Sequence, residues 1–180
     1  MLLFGSIGLL LICFVGCSSK KMPSSPPQFH FEQDAVRIHL EASPQLNVFD
    51  GTPHTLFMCI YELTDPNMFN TYLENPTGIS DLLACNRFDP SVVNFKRAII
   101  QPGAIQEIVL DRAEGAHYVG IVAGYFLLSK EKAVRLFSIP ILTETKGVIN
   151  KTFLQKPGKL VVELTLGPTG IEQAGVKSEL

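Results

Sequence analysis

The sequence predicts a mainly β protein, a two-sheet β-sandwich with a short helical insertion after its second strand. Apolar and polar residues alternate along several segments with the period of two that marks a half-buried strand. Turn-forming residues separate these segments roughly every 8–12 positions, as in sandwich proteins. Only one stretch has helical spacing, so a sandwich fits better than a βαβ fold.

Seven segments are strand candidates. Residues 36–41 alternate strictly between apolar and polar side chains. Residues 56–63 are apolar on both faces, so we expect them to lie centrally or between layers. Gly120 and Gly124 indicate close packing or a bend within a long strand. The other candidates are residues 92–100, 105–111, 117–128, 133–142 and 160–166.

Residues 65–84 interrupt the strand pattern, because their apolar residues recur nearer to helical spacing. Asp65 and Pro66 form a typical helix start, with the acid as cap and the proline in the first turn. The sequence Asn-Pro-Thr-Gly at residues 75–78 then divides the stretch. We therefore expect two short helices after the second strand.

The first sixteen residues form an almost unbroken apolar run without Lys, Arg, Asp or Glu. This run is short for a spanning helix, which needs about 20 apolar residues, and it fits a signal peptide. It ends at Cys17 in a segment that resembles the lipobox of bacterial lipoproteins, whose cysteine thiol accepts a diacylglyceryl group. Ser18 resembles an outer-membrane sorting signal. The alternative is a signal anchor in which Cys17 is incidental.

These features divide the chain into four parts: a removed signal peptide (1–16), an acylated cysteine with a flexible tether (17–30), the sandwich domain (31–168) and a tail (169–180) that we expect to be partly disordered. The expected anchor is the covalent lipid on Cys17, with no other cofactor. The net charge of −2 and the pI of about 6.1 provide no basic surface for nucleic acid.

Two cysteines remain in the domain, Cys59 and Cys85. In an oxidising periplasm we expect them to form a disulfide that stabilises the fold by roughly 3 kcal/mol. Two separate buried thiols are the alternative. Mass spectrometry under non-reducing conditions distinguishes the two states.

The sequence lacks the usual catalytic motifs, such as G-x-S-x-G, a phosphate-binding glycine loop, H-E-x-x-H and C-x-x-C. His39 and Glu41 share a strand face, but two ligands without a third make a weak metal site, and a solvated face explains them better. We therefore predict no catalytic residues, no metal and no enzymatic activity.

The loop at residues 43–55 carries Leu46, Val48 and Phe49 among turn-forming residues. Loops usually lack such apolar side chains, so these three either pack onto the domain or contact a partner. Composition alone favours packing.

Several segments resemble, in order, the outer-membrane lipoprotein family of type VI secretion systems (TssJ or SciN). They are Leu-Asn at 46–47, Asp-Gly at 50–51, Pro53, the strand 57–63, Phe69, Asp-Leu-Leu at 81–83, Gln-Pro-Gly at 101–103 and residues 118–126. The resemblance covers roughly residues 36–166.

This resemblance implies a transthyretin-like sandwich anchored in the inner leaflet of the outer membrane. It also implies binding to the periplasmic domain of the inner-membrane component TssM. The partner-binding residues that it nominates are Leu46, Asn47, Asp50, Gly51 and Pro53, to which the apolar pair Val48 and Phe49 is added. With the resemblance, the loop favours contact over packing.

Two other classes of function remain open at this stage. A sandwich on a lipid anchor also suits a carrier of a small ligand or carbohydrate, because fold alone does not determine function. The absence of Trp argues mildly against sugar stacking. A periplasmic hydrolase would need a convergent polar cluster that the spacing does not show.

Overall fold

The computed structural model describes residues 26–147 and 152–177, and in these ranges it contains ten strands and three short helices. Cys17, Ser18 and the predicted signal peptide lie outside the described residues. The strands are β1 (Glu32–Ala42), β2 (Leu56–Leu63), β3 (Val92–Ile100), β4 (Ile105–Arg112), β5 (Tyr118–Ala123), β6 (Val134–Ser138), β7 (Ile141–Lys146), β8 (Thr152–Pro157), β9 (Leu160–Leu166) and β10 (Ile171–Lys177). The helices are α1 (Asn67–Leu73), α2 (Gly78–Leu83) and α3 (Lys130–Ala133).

Two four-stranded sheets form the sandwich, and β7 pairs with β8 in a separate ribbon. The first sheet has the order β10-β9-β1-β4, in which β1 runs parallel to β9 and antiparallel to β4. The second has the order β3-β2-β5-β6 and is antiparallel throughout. One hydrophobic core draws on both sheets. The predicted β-sandwich with short helices after its second strand is thus confirmed.

Strand β2 is buried on both faces, as its sequence predicts. Its outward side chains meet α1 and α2: the Tyr61 hydroxyl donates to the Leu82 carbonyl oxygen. Gly120 on β5 leaves space for the buried ring of Phe69, since a Cβ there would lie 2.9 Å from that ring. The predicted close packing at this glycine is what the structure shows, and it seats the helices against the sheet.

Several predicted boundaries need correction. The strand expected over 117–128 ends at Ala123, and the strand expected over 133–142 divides into β6 and the start of β7. The expected disordered tail contains β10, because Ile171 is only 5% exposed and the strand pairs with β9. No helix in the described ranges is long and apolar enough to cross a membrane.

The loops collect at two ends of the sandwich, which we call the entry end and the distal end. The entry end holds residues 26–31, where the described chain begins, together with residues 113–117, 139–140 and 158–159. The distal end holds residues 43–55, 101–104, 124–129 and 167–170. The register of β1 with β4 and of β2 with β5 assigns each loop to its end.

Candidate functional site

The distal loop, residues 43–55, contains a miniature hairpin at its tip. Phe49 and Thr52 exchange two backbone hydrogen bonds of 3.0 Å, so they pair as a β-bridge. Between them Asp50 and Gly51 have φ values of +49° and +72°. Two successive residues with positive φ are typical of the tight hairpin turn for which Asp-Gly is a favoured sequence. The local sequence therefore fixes Phe49 at the base of a rigid turn.

Asn47 holds the distal loop against a second loop, residues 124–129. Its side chain is 4% exposed; Nδ2 donates to the Thr55 carbonyl oxygen (3.2 Å), and Oδ1 accepts from the Phe126 N–H (3.0 Å). Its φ of +48° is a conformation that asparagine adopts more readily than most residues. One buried amide thus closes one loop and fixes the backbone of the other.

The contact that Asn47 enforces brings two aromatic rings together at the surface. The rings of Phe49 and Phe126 stack with centroids 4.6 Å apart, and His54 meets Phe126 edge-on at 5.0 Å. Phe49 is 56% exposed, Phe126 49%, Leu127 73% and Leu128 40%. We call these four residues the distal patch. Exposed apolar side chains grouped on fixed loops are typical of protein-binding sites.

The distal patch has few charged neighbours in the sequence: Asp50 is the only Asp, Glu, Lys or Arg in the distal loop, and Lys130 and Glu131 directly follow the second loop. Its own side chains are aromatic or aliphatic and offer contact area rather than acid, base or nucleophile. The arrangement therefore suits binding to an apolar surface.

The seven residues predicted to bind the partner differ in their exposure to solvent. Leu46 is fully buried and Asn47 nearly so, because both pack inward to hold the loop. Asp50 and Gly51 form the turn, while Val48 and Pro53 are half-buried. Among these seven residues, Phe49 is the one with a large apolar side chain that is exposed.

Sequence reasoning missed Phe126, Leu127 and Leu128, which it placed at the end of a strand. Their apolar character continues the pattern of β5, so alternation gave no reason to end the strand at Ala123. Gly124 was the available signal, and its N–H donates to the Phe57 carbonyl oxygen where the chain turns away. The stacking partner of Phe49 was invisible because the two residues are distant in sequence.

Cys59 and Cys85 lie beside the helices rather than in the patch. The structure joins them in a disulfide, with their Cα atoms 5.6 Å apart. Nearby, burial raises the pKa of Tyr61 to about 12, so its hydroxyl stays protonated and able to donate to Leu82. Both contacts secure the helical insertion to β2.

Two buried charged groups lie towards the entry end. Arg112 is 3% exposed; its guanidinium pairs with Glu32 (2.9 Å) and donates to the carbonyl oxygens of His30 and Gly158. Glu62 is fully buried; Oε2 accepts from the Ala113 N–H at 2.8 Å, while Oε1 has no hydrogen-bond partner. Burial raises the pKa of the Glu62 carboxyl.

The profile of one protein family, described as type VI secretion lipoprotein (T6SS-SciN: VasD, EvfM, TssJ), matches residues 34–164. That range includes the distal loop, the second loop and the helical insertion. No curated protein matches the chain.

Solved structures share the fold. The type VI secretion lipoprotein TssJ1 from Pseudomonas aeruginosa matches with a TM-score of 0.60 and 20% identity, over 86% of this chain and 100% of that chain. Serratia marcescens Lip, described as a membrane-bound component of the type VI secretion system, gives 0.54 and 15% over 81% and 98%. A chain from a structure described as the TssM C-terminal domain from EAEC gives 0.51 and 14% over 80% and 98%.

Proposed function

Because this chain belongs to the type VI secretion lipoprotein family, we propose that it is a lipid-anchored scaffold that links the outer membrane to the inner-membrane component of the secretion apparatus. Acyl chains on Cys17 would hold it in the inner leaflet of the outer membrane, with the sandwich in the periplasm. The distal patch would bind the periplasmic domain of TssM.

The observation that carries this proposal is the position of the distal patch. The first described residues, 26–31, which follow Cys17 in the sequence, lie at the entry end, whereas Phe49, Phe126 and Leu127 are exposed at the distal end. A scaffold between two membranes needs its anchor and its binding surface on different sides. This arrangement provides that separation within one domain.

The rigidity of the patch supports a role in binding. The tight turn at Asp50-Gly51 and the buried Asn47 amide fix the two loops before any partner arrives. Side chains that are ordered in advance lose less conformational entropy on association. TssM is the partner to test first, because a structural relative comes from a structure described by that name.

The proposal predicts that Phe49→Ala combined with Leu127→Ala weakens binding to the periplasmic domain of TssM by more than about 1 kcal/mol, roughly fivefold or more in Kd. Both side chains are more than half exposed, so their truncation leaves the core intact. Titration calorimetry with the purified TssM domain measures the effect.

The matched control is Phe31→Ala, which removes an aromatic ring that is 61% exposed at the entry end. It should leave the affinity unchanged. Equal affinities for the wild type and the double variant, with equal melting temperatures, would reject the patch as the binding surface.

The ligand-carrier alternative has less structural support. A shallow cleft crosses the outer face of β1, β4 and β9, and its lining includes His39, Glu107 and Glu163 but no aromatic side chain. Carbohydrate sites usually provide a ring for stacking, and this cleft offers charged strand residues instead.

A further inference from the structure

The ribbon formed by β7 and β8 extends from the sandwich without joining its core. The two strands contact each other extensively but no other element to a similar degree. Their large apolar side chains are Ile141, Leu142, Phe153 and Leu154, and none of these packs against the core cluster. Isolated two-stranded ribbons are marginally stable in water, so packing these side chains against another surface would stabilise the ribbon.

The two faces of the ribbon differ in charge. Residues that face each other across an antiparallel pair share a face, so the register assigns every side chain to one side. One side carries Glu144, Lys146 and Lys156 together with Leu142, Thr152 and Leu154, and we call it the charged face. The other has no charged residue, and we call it the uncharged face; it consists of Ile141, Thr143, Thr145, Phe153, Gln155 and Pro157.

The ribbon begins and ends at the entry end, beside the first described residues. Arg112 makes this connection, because it donates to the carbonyl oxygen of His30 on one side and to that of Gly158 at the base of the ribbon on the other. Its ion pair with Glu32 at 2.9 Å fixes the start of β1 at the same point. The base of the ribbon and the first described residues, 26–31, therefore lie together at the entry end.

The chain length between Cys17 and residue 26 limits how far this end can lie from a bilayer. Nine residue steps span at most about 30 Å when fully extended. A ribbon strand of six residues is about 20 Å long, which is comparable to the span of the nine residue steps between Cys17 and residue 26. A lipid surface at Cys17 is therefore within reach of the ribbon.

We propose that the uncharged face of the β7–β8 ribbon rests on the lipid bilayer as a second membrane contact beside the acylated Cys17. This rests on the lipid anchor of the proposed function. Ile141 and Phe153 enter the boundary between head groups and acyl chains, where apolar side chains gain from burial.

The absence of tryptophan from the chain provides a clean test, because one introduced Trp is the only indole reporter. Phe153→Trp is prepared in the full-length acylated protein and reconstituted into vesicles of phosphatidylethanolamine and phosphatidylglycerol with brominated acyl chains. Brominated chains quench indole fluorescence only on close approach. Phe49→Trp, in the distal patch, is the matched aromatic control.

We expect several-fold stronger quenching of Phe153→Trp than of Phe49→Trp. Within the ribbon, Ile141→Trp should be quenched more strongly than Leu142→Trp, since they lie on opposite faces. This pair keeps the test valid if Phe153→Trp folds poorly, which circular dichroism reports.

Co-sedimentation with the vesicles separates the two proposals. In one outcome, the variants co-sediment with the vesicles and yet show equal quenching of Trp at positions 153 and 49, and equal quenching at positions 141 and 142. That result overturns the ribbon contact and leaves the lipid anchor intact. A chain that does not co-sediment refutes the anchor, and the ribbon contact with it.

Discussion

At the scale of single residues, Asn47 determines how the two distal loops meet. Its amide donates to one loop and accepts from the other, so the same side chain supports the base of the turn and the backbone of Phe126. Its place in the binding surface is indirect, because it is almost fully buried. Asn47 is therefore a positioning residue for the stacked pair of Phe49 and Phe126.

Asn47→Ala should lower the free energy of unfolding by about 2 kcal/mol, since two hydrogen bonds are lost and each contributes roughly 1 kcal/mol. Binding to TssM should weaken as well. Denaturant unfolding and calorimetry measure the two effects. Asn47→Gly accommodates the positive φ but lacks the amide. If that variant binds TssM with wild-type affinity, the affinity lost in Asn47→Ala comes from backbone strain rather than from the missing hydrogen bonds.

Glu62 gives the stability of the domain a specific pH dependence. Burial raises its pKa above the ordinary value of 4.5, so folding disfavours the charged carboxyl relative to the unfolded chain. The stability that the neutral form contributes is present below 4.5 and is lost as the pH rises through the folded-state pKa. Glu62→Gln cannot ionise, so its stability relative to wild type should increase from acidic to neutral pH.

Thermal unfolding over that pH range measures the difference. The control has the opposite sign: hydrogen bonds from the Phe31 N–H and His30 lower the pKa of Glu114, so Glu114→Gln should lose stability relative to wild type as the pH rises. A pH-independent difference for Glu62→Gln would contradict the assignment.

At the scale of elements, the helical insertion depends on a few contacts with β2. The Cys59–Cys85 disulfide, the Tyr61 hydrogen bond to Leu82 and the ring of Phe69 over Gly120 hold α1 and α2 against the sheet. The helices have seven and six residues, too short to be stable alone. The insertion is therefore ordered by its attachment to the sandwich.

Replacing both Cys59 and Cys85 by Ala should lower the free energy of unfolding by about 3 kcal/mol, as expected for a loop of this size. The patch is distant from the bond, so the affinity for TssM should not change. Chemical denaturation with and without a reducing agent measures the effect. If the reductant leaves the wild type unaltered, the two thiols are not joined in the isolated protein.

Elements whose burial produces regular alternation could be predicted from sequence, and others could not. The observed bounds of β2, β3 and β9 equal the predicted ones. Strands β2 and β9 pack at least one face into the core, and β3 begins and ends at the buried Val92 and Ile100. The ribbon β7–β8 has apolar and polar residues on both faces, so it lacks that signature. Strand β10 was missed because Ile171 is its one buried residue and most of the others are polar and exposed.

At the scale of the whole molecule, one of the two loops that form the candidate site could be predicted from the sequence. An apolar residue within turn-forming sequence marked Phe49, since a loop exposes little such surface without a reason. Phe126 joins it only through tertiary folding, which no local pattern encodes. Family resemblance identified the distal loop but not the burial of Leu46, which follows from tertiary packing: the next two residues, Asn47 and Val48, donate to the β9–β10 turn.

The anchored scaffold predicts a clear separation between folding and secretion. Cys17→Ser should leave the domain folded and able to bind TssM in solution, because Cys17 lies outside residues 26–177. It should nevertheless abolish type VI secretion by removing the lipid. A secretion assay with the variant, alongside binding in solution, tests this. Normal secretion by the unacylated chain would show that the anchor is incidental.

Strand β1 connects the two ends of the domain directly. It starts beside the residues that lead to Cys17, ends at Ala42, and continues straight into the distal loop. A pull between the membrane and a partner on the distal patch would travel along this strand. Its hydrogen bonds to β4 and β9 lie across that direction, so they would be loaded together in shear rather than opened one at a time. The strand order thus places β1, supported on both sides by β9 and β4, along the line between the proposed anchor and the distal patch.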